Sequence, residues 1–490
     1  MKKIIFITFL GFLFFTVNAV AQSVTGKITD QQQQPLEYVN IQIGPDYGVV
    51  SNTEGVFTIT LPSSTEANSV IISCIGFESL KIPLSDFKNG TYVLKEQVTV
   101  LDGVYVTNKK LSPTEILTEV IKNAPKNYAA QTIKQTFFLR TSSDMKLIDT
   151  DFKLLKSSLE TKSTLKELNK DLEDMVKKFK NQHSKYYKES YGFLYSQNKE
   201  SKLLVEKSIE LKNEEKDISS DKVNSKVMEV IKKHLVADAT YKVKSGLFKL
   251  EDSLKINSLK KEEKKDLKTA YLRSSITSMS SSLNKFYSDE ELDFLTKFKR
   301  YNYTFEGYAT LNDETIYIID FKPLKNAAKY SGKIYVNALD FAVVKLEYGM
   351  IDGKTEHNIS LKFLLGVKMV QDRIKVAASF SKNGAGQYAA NFVKKEEGTY
   401  LFANRSLKFT KNKVDKKEDT QMLKMEVLVE LDSHTTSELF IIDKLAISGD
   451  EFNKVTEKEK YDINYISKYD PSIWKNYNIL APVEAIKNYN

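Results

Sequence analysis

Residues 24–94 and 301–431 alternate apolar and polar side chains with a period of two, in runs broken by turn residues. That period suits strands with one buried face and one wet face, so it commits most of the chain to β-sheet. In the first region Val39, Ile41 and Ile43 alternate with Asn40 and Gln42, and Phe57, Ile59 and Leu61 with Thr58 and Thr60. Further strands are expected at Val24–Ile28, Val70–Ile75, Leu80–Leu84, Thr91–Leu94 and Gly103–Val106. Turn residues fall at Asp30–Pro35, Asn52–Gly55, Pro62–Asn68 and Asn89-Gly90, and GVVSNTEGVFTITLP (Gly48–Pro62) reads as a hairpin. About seven short strands with turns every 8–12 residues or so predict a β-sandwich over residues 22–107.

In the second region Val344, Leu346 and Tyr348 oppose Lys345 and Glu347. Ile359, Leu361 and Phe363 oppose Asn358, Ser360 and Lys362, and Leu423, Met425, Val427, Val429 and Leu431 oppose Lys424, Glu426 and Glu430. Asn383-Gly384 and Glu397-Gly398 read as turns. The pattern predicts a large antiparallel sheet of roughly eight to ten strands over residues 298–435, into which a strand at Gln135–Lys146 pairs. Ser112 or Thr114 can cap a helix whose stripe is Ile116, Leu117, Val120 and Ile121, ending near Pro125. Residues 160–297 are charged and rich in helix formers, with stripes at Leu165, Leu168, Leu172, Met175 and Phe179 and at Val223, Val227, Val230, Ile231 and Leu235. They read as a helical insertion within an α+β domain of residues 108–490, closed by a C-terminal cap at 436–490. The fold class is therefore mainly β: a seven-stranded sandwich of immunoglobulin or transthyretin type, then a large antiparallel sheet with a helical insertion.

The chain begins MKKIIFITFLGFLFFTVNAVAQ. Lys2 and Lys3 precede an apolar run of about 14 residues and the small-residue site Ala19-Val20-Ala21, which predicts a signal peptide over residues 1–21. That run is short of the roughly 20 residues a spanning helix needs, and no later segment predicts a membrane helix. The net charge of +9 is the small difference between 73 basic and 64 acidic residues. No basic stripe marks a nucleic-acid surface. The single cysteine, Cys74, excludes an internal disulfide and reads as a small core residue.

TGKITDQQQQPLEYVNIQI, GVVSNTEGVFTITLP and NSVIISCIGFESLKIPL together resemble the carboxypeptidase regulatory-like domain, a transthyretin-like sandwich. The resemblance rests on Gly26 and Asp30, Pro35-Leu36, Asn52-x-x-Gly55-x-Phe57 and Ile75-Gly76-Phe77. It departs at Gln31–Gln34, where the family carries a glycine-containing turn. The remainder resembles larger bacterial envelope proteins with the same domain, and FKPLKNAAKYSGKIYVNALDFAVVKLEYG is similar to hairpins of lipoprotein-carrier half-barrels.

Such a sandwich accompanies zinc carboxypeptidases, whose site needs two His and a Glu with a His-x-x-Glu pair. His183, His234, His357 and His434 lie in unlike segments, and none has Glu at the third position after it. Gly384 to Ala389 fits G-x-G-x-x-A, but it lies between two strands, where a dinucleotide site needs strand then helix. Asp313, Glu314, Asp320, Asp340 and Glu347 read as surface and turn carboxylates. No catalytic, cofactor-binding or metal-ligating residue is nominated. The expectation is an exported, non-catalytic envelope protein in the periplasm, at the outer membrane or on the cell surface. It would bind a protein partner, or a lipid or glycan ligand, and not nucleic acid. A lipid or lipoprotein carrier with a curved sheet is the alternative, and a hydrolase a more distant one.

Overall fold

The computed structural model describes residues 23–489, except 45–46, 63–64, 98–110, 129–131, 159, 178–179, 181, 213–228, 230–234, 237, 247, 256–266, 285–291, 385, 414 and 416–419. The signal segment, the strand expected at Gly103–Val106 and most of the second helical stripe lie outside the described residues.

The sandwich holds β1 (Ser23–Thr29), β2 (Asn40–Ile43), β3 (Gly48–Val50), β4 (Val56–Thr60), β5 (Ser69–Ser73), β6 (Leu80–Pro83) and β7 (Gly90–Val93). One sheet has the order β4-β1-β7 and the other β3-β2-β5-β6. Val24, Ile28, Ile41, Phe57, Ile59, Val70 and Ile72 fill the space between them. Gly48–Pro62 is not a hairpin: β3 pairs with β2 and β4 with β1, so Asn52–Gly55 arches from one sheet to the other. Gly55 takes φ +74°, and a Cβ there would sit 2.4 Å from the Ile28 carbonyl oxygen, so the arch requires glycine. In the first turn Gln33 adopts φ 63° in place of the usual glycine, and the Asp30 carboxylate accepts from the Gln34 amide at 2.8 Å.

After α1 (Pro113–Asn127), capped by Ser112 and Glu115, the chain builds a fourteen-stranded sheet. Its members are β8 (Ile133–Ser157), β9 (His183–Gln197), β10 (Glu200–Lys212), β11 (Thr240–Ser245) and β12 (Phe248–Lys255). A two-residue β13 (Leu267–Lys268), outside this sheet, precedes β14 (Tyr301–Leu311), β15 (Glu314–Pro323), β16 (Tyr330–Asn337) and β17 (Val343–Met350). Then come β18 (His357–Leu361), β19 (Val367–Lys382), β20 (Tyr388–Lys411), β21 (Met422–Ala446) and, past the short β22 (Lys460–Tyr461), β23 (Asn464–Ile466). The order is β14-β15-β16-β17-β19-β20-β21-β8-β9-β10-β23, with β18 on β19 and β11–β12 on β20.

The expected helical insertion at 160–297 is helical near its ends, in α2 (Lys162–Lys177) and α3 (Thr269–Asn284), but strand at 183–212 and 240–255. Its lysines and glutamates suggest helix by composition, yet β9 docks along fourteen residue pairs of β8, and tertiary pairing overrides propensity. The sheet also runs past 435, since β21 continues to Ala446, so the cap begins after that residue. Gly398 is not in a turn but in mid-β20, where the Arg373 side chain lies so close that a Cβ would meet its Nε at 2.1 Å. Ile359 and Leu361 bury no face, because β18 is an outer strand held by β19 alone.

One face of the sheet packs against α1 and α3 through Leu117, Val120, Ile276, Phe294, Ile319 and Leu346. Further along the same strands, Leu172 and Val176 of α2 pack on Phe152 and Leu154. The opposite face meets the sandwich.

Candidate binding cleft

The contact between sandwich and sheet has two unlike halves. In the dry half, Phe138 on β8, Phe440 and Ile442 on β21 and the C-terminal residues Trp474, Ile479 and Leu480 join the sandwich core in one buried cluster. The Trp474 ring meets Phe138 edge-on at 5.5 Å, and its Nε1 donates to Glu189 at 2.6 Å. Arg140, 1% exposed, donates from Nε to Glu189 at 2.7 Å and through its terminal nitrogens to the carbonyls of Leu480 (2.7 Å) and Ala481 (3.2 Å). Burial acts to lower the Arg140 pKa, but Glu189 and Glu438 outweigh it, so the guanidinium stays firmly charged. From the sandwich side, Asn52 donates to the Ala481 carbonyl at 3.2 Å, and the Thr60 amide donates to the Asn478 side chain at 2.8 Å. The segment Trp474–Pro482 thus lies between both parts and bonds to each.

In the other half the same faces do not close. A cleft of about 1020 Å³ separates them. Its floor is the outward row Ala377, Ser379 and Ser381 of β19, and its roof includes Asn40 and Gln42 of β2 and Ser73 of β5. Facing sheets stand about 10 Å apart, and alanine, serine and asparagine are too short to fill that space. Tyr38 stacks on Phe392 at 4.4 Å, joining roof to floor beside the dry half, and its hydroxyl donates to Glu438 at 3.3 Å. Lys382 contacts Asp340 (3.1 Å) and Glu314 (3.4 Å), and Tyr388 donates to Asp340 at 3.0 Å. Lys345 contacts Glu347 at 2.7 Å, and Lys394 contacts Glu396 at 2.8 Å. The Ser73 hydroxyl is buried in the roof with no hydrogen-bond partner among the described residues.

The residues singled out in the sequence divide sharply. Glu314 and Glu347 line the cleft, as do His434 and Cys74. Asp340 reaches it only through Lys382 and Tyr388, while Asp320 contacts Lys322 at 3.5 Å. Burial pushes the Cys74 thiol above its ordinary pKa, away from nucleophilic character. His183 lies 3.5 Å from Asp144, His357 is exposed on β18, and His234 lies outside the described residues. Among the described residues, no group of three or more His, Cys, Asp and Glu is placed to hold a metal ion. Gly384 and Gly386 belong to the turn joining β19 to β20, closed by the Gly386 amide donating to the Asn383 carbonyl. Sequence reasoning missed Arg140 and Glu189. The signal was present: each shares the sandwich-facing row of its strand with an aromatic ring, Phe138 and Tyr191.

Residues 24–106 match the CarboxypepD_reg-like domain family, which is the resemblance read from the N-terminal motifs. No curated protein matches the chain. Among solved structures, the CymD monoaromatic hydrocarbon channel aligns at 7% identity over 71% of this chain and 95% of that one, with a TM-score of 0.08. The TodX monoaromatic hydrocarbon channel deltaS2 mutant aligns at 9% identity over 65% of this chain and 92% of that one, also with a TM-score of 0.08. Scores that low carry no argument about fold or function. Among the described residues no helix is long and apolar enough to cross a membrane.

Proposed function

We propose that this protein, with a CarboxypepD_reg-like domain at residues 24–106, is a non-catalytic binding protein of the bacterial cell envelope, exported by its N-terminal apolar segment. The sandwich and the sheet act as two jaws holding a small polar ligand. The observation that carries this reading is the cleft of about 1020 Å³, with short side chains on its floor and roof and charged ones along its sides. Its size is that of a ligand site. A fixed gap lined by hydrogen-bonding groups, next to a dry contact that holds the jaws in place, suits recognition more than packing.

The lipid-carrier alternative finds less support. The face of the sheet away from the sandwich is covered by α1 and α3, and the cleft opens on the sandwich-facing side between the charged side chains of Lys345, Glu347, Lys394 and Glu396. The test is native mass spectrometry of the mature protein purified gently from its own envelope fraction. The expected result is a bound mass of about a hundred to a thousand daltons that Ser379→Trp abolishes, since an indole there fills the floor of the cleft. A wild-type chain that is bare, or bound only to another protein, would overturn the reading in favour of a scaffold acting through its surface.

A further inference from the structure

The register of the large sheet places charged side chains side by side across it on the sandwich-facing surface. Asp320 of β15 lies opposite Lys333 of β16, and Lys333 opposite Glu347 of β17. On the far side of β19, Lys394 of β20 lies opposite Glu438 of β21, and Glu438 opposite Arg140 of β8. Arg140 in turn faces Glu189 of β9. Neighbouring signs alternate, as cross-strand pairs of opposite charge favour. Between Asp320 and Glu189, Ala377 of β19 is the one uncharged position, directly opposite Glu347 on one side and Lys394 on the other.

The interruption is not simply a missing charge. Its two neighbours have opposite signs, so any single charge placed over Ala377 would be attracted by one and repelled by the other. Two residues on, Ser379 lies opposite Lys345 on one side and Phe392 on the other, and two residues back Lys375 lies opposite Gly349 and Glu396. Burial acts to raise the Glu347 pKa, but Lys345, Tyr335 and Lys333 outweigh it and hold the carboxylate below its ordinary range. Glu396 is held down in the same sense, its burial outweighed by Lys394, Lys375 and His434. The floor of the cleft is therefore an uncharged pit of Ala377 and Ser379, with fixed negative and positive groups on both walls.

We propose that the cleft's ligand is amphoteric, a free amino acid lying over Ala377 and Ser379 with its ammonium toward Glu347 and its carboxylate toward Lys394. This rests on the binding reading above. Two strand spacings separate the Glu347 and Lys394 backbones by about 10 Å. An amino acid, with charges about 3 Å apart and a contact of about 3 Å at each end, spans that distance. Glu347 accepts from Lys345 and, at 2.9 Å, from the Tyr335 hydroxyl, and Lys394 contacts Glu396; both keep further capacity, because a carboxylate offers about four acceptor sites and an ammonium three donors.

The experiment is isothermal titration calorimetry of the mature chain at pH 7 with four probes: alanine, N-acetylalanine, alaninamide and glucose. Alanine is expected to bind, acetylation and amidation each to weaken it at least ~10-fold, and glucose not to bind. In Glu347→Gln the penalty of acetylation disappears, and in Lys394→Met that of amidation, a pair of mutant cycles that a merely structural role would not produce. If the blocked derivatives or glucose bind as well as alanine, the ligand is not amphoteric. If no probe binds while native mass spectrometry shows a bound mass, the amphoteric inference falls and the binding reading stands. If no mass is bound and no probe binds, both fall. Should either variant fail to fold, the four-probe comparison on the wild-type chain still decides.

Discussion

Within one contact between sandwich and sheet, the residues around Trp474 exclude water and the residues around Ala377 leave a cleft of about 1020 Å³. The backbone geometry is shared: β20 and β21 run through both halves, with Phe392 and Phe440 paired across them on the dry side. Side-chain reach makes the difference. Phenylalanine, tryptophan and the C-terminal segment span the distance between two β faces, whereas alanine, serine and asparagine leave it open. Charge is handled differently as well. In the dry half a single Arg140–Glu189 pair is fully enclosed, and its remaining donors and acceptors are met by Trp474 and the carbonyls of Leu480 and Ala481. In the open half Lys345–Glu347 and Lys394–Glu396 are partly solvated, so they remain able to take a further partner.

That contrast predicts where the molecule breaks most easily. Glu189→Gln strands the Arg140 cation in the dry half, and removing one partner of an enclosed pair costs about 3–5 kcal/mol. Urea unfolding should show a correspondingly lower midpoint, and a loss below about 1 kcal/mol would mean that Arg140 reaches water and the half is not dry. Trp474→Phe retains a ring against Phe138 but removes the donor to Glu189 Oε2. A buried acceptor left without its partner costs about 1–3 kcal/mol, so the same measurement should place this variant between Glu189→Gln and the wild type.

How far these features were legible depends on whether they are local. The alternation at Val39–Ile43, the turn glycine at Gly55 and the Ser112 cap follow from neighbours in sequence, and the structure places them as read. The 183–212 segment misled because its lysines and glutamates favour helix in isolation, while its docking along β8 is a tertiary fact. Glu347 was visible as a carboxylate in an alternating strand, but nothing in the sequence placed it opposite Ala377, or Ala377 opposite Lys394. Those relations depend on register across strands tens of residues apart. The cleft itself depends on which row of each sheet carries short side chains at the same level, which only the docked structure supplies.

Glu438 sits on the boundary between the two halves and sharpens the comparison with the smallest expected effect. It is nearly enclosed, accepts from Tyr38 at 3.3 Å and lies beside Arg140 and Lys394. Burial raises its pKa, and the nearby cations only partly offset that, so the folded protein holds this proton more tightly than the unfolded chain does. The sign follows from linkage: below the unfolded carboxylate range both states are protonated and nothing is lost. As pH rises through that range and up to the folded value, the unfolded state releases its proton first and stability falls. Glu438→Gln mimics the protonated form and keeps an acceptor for Tyr38, so it should match the wild type in acid and exceed it in urea midpoint at neutral pH. This is opposite in sign to Glu189→Gln although both carboxylates flank the same arginine. A loss of stability at neutral pH would place Glu438 with Glu189 as a full partner of Arg140, and the dry half would then extend to the edge of Tyr38.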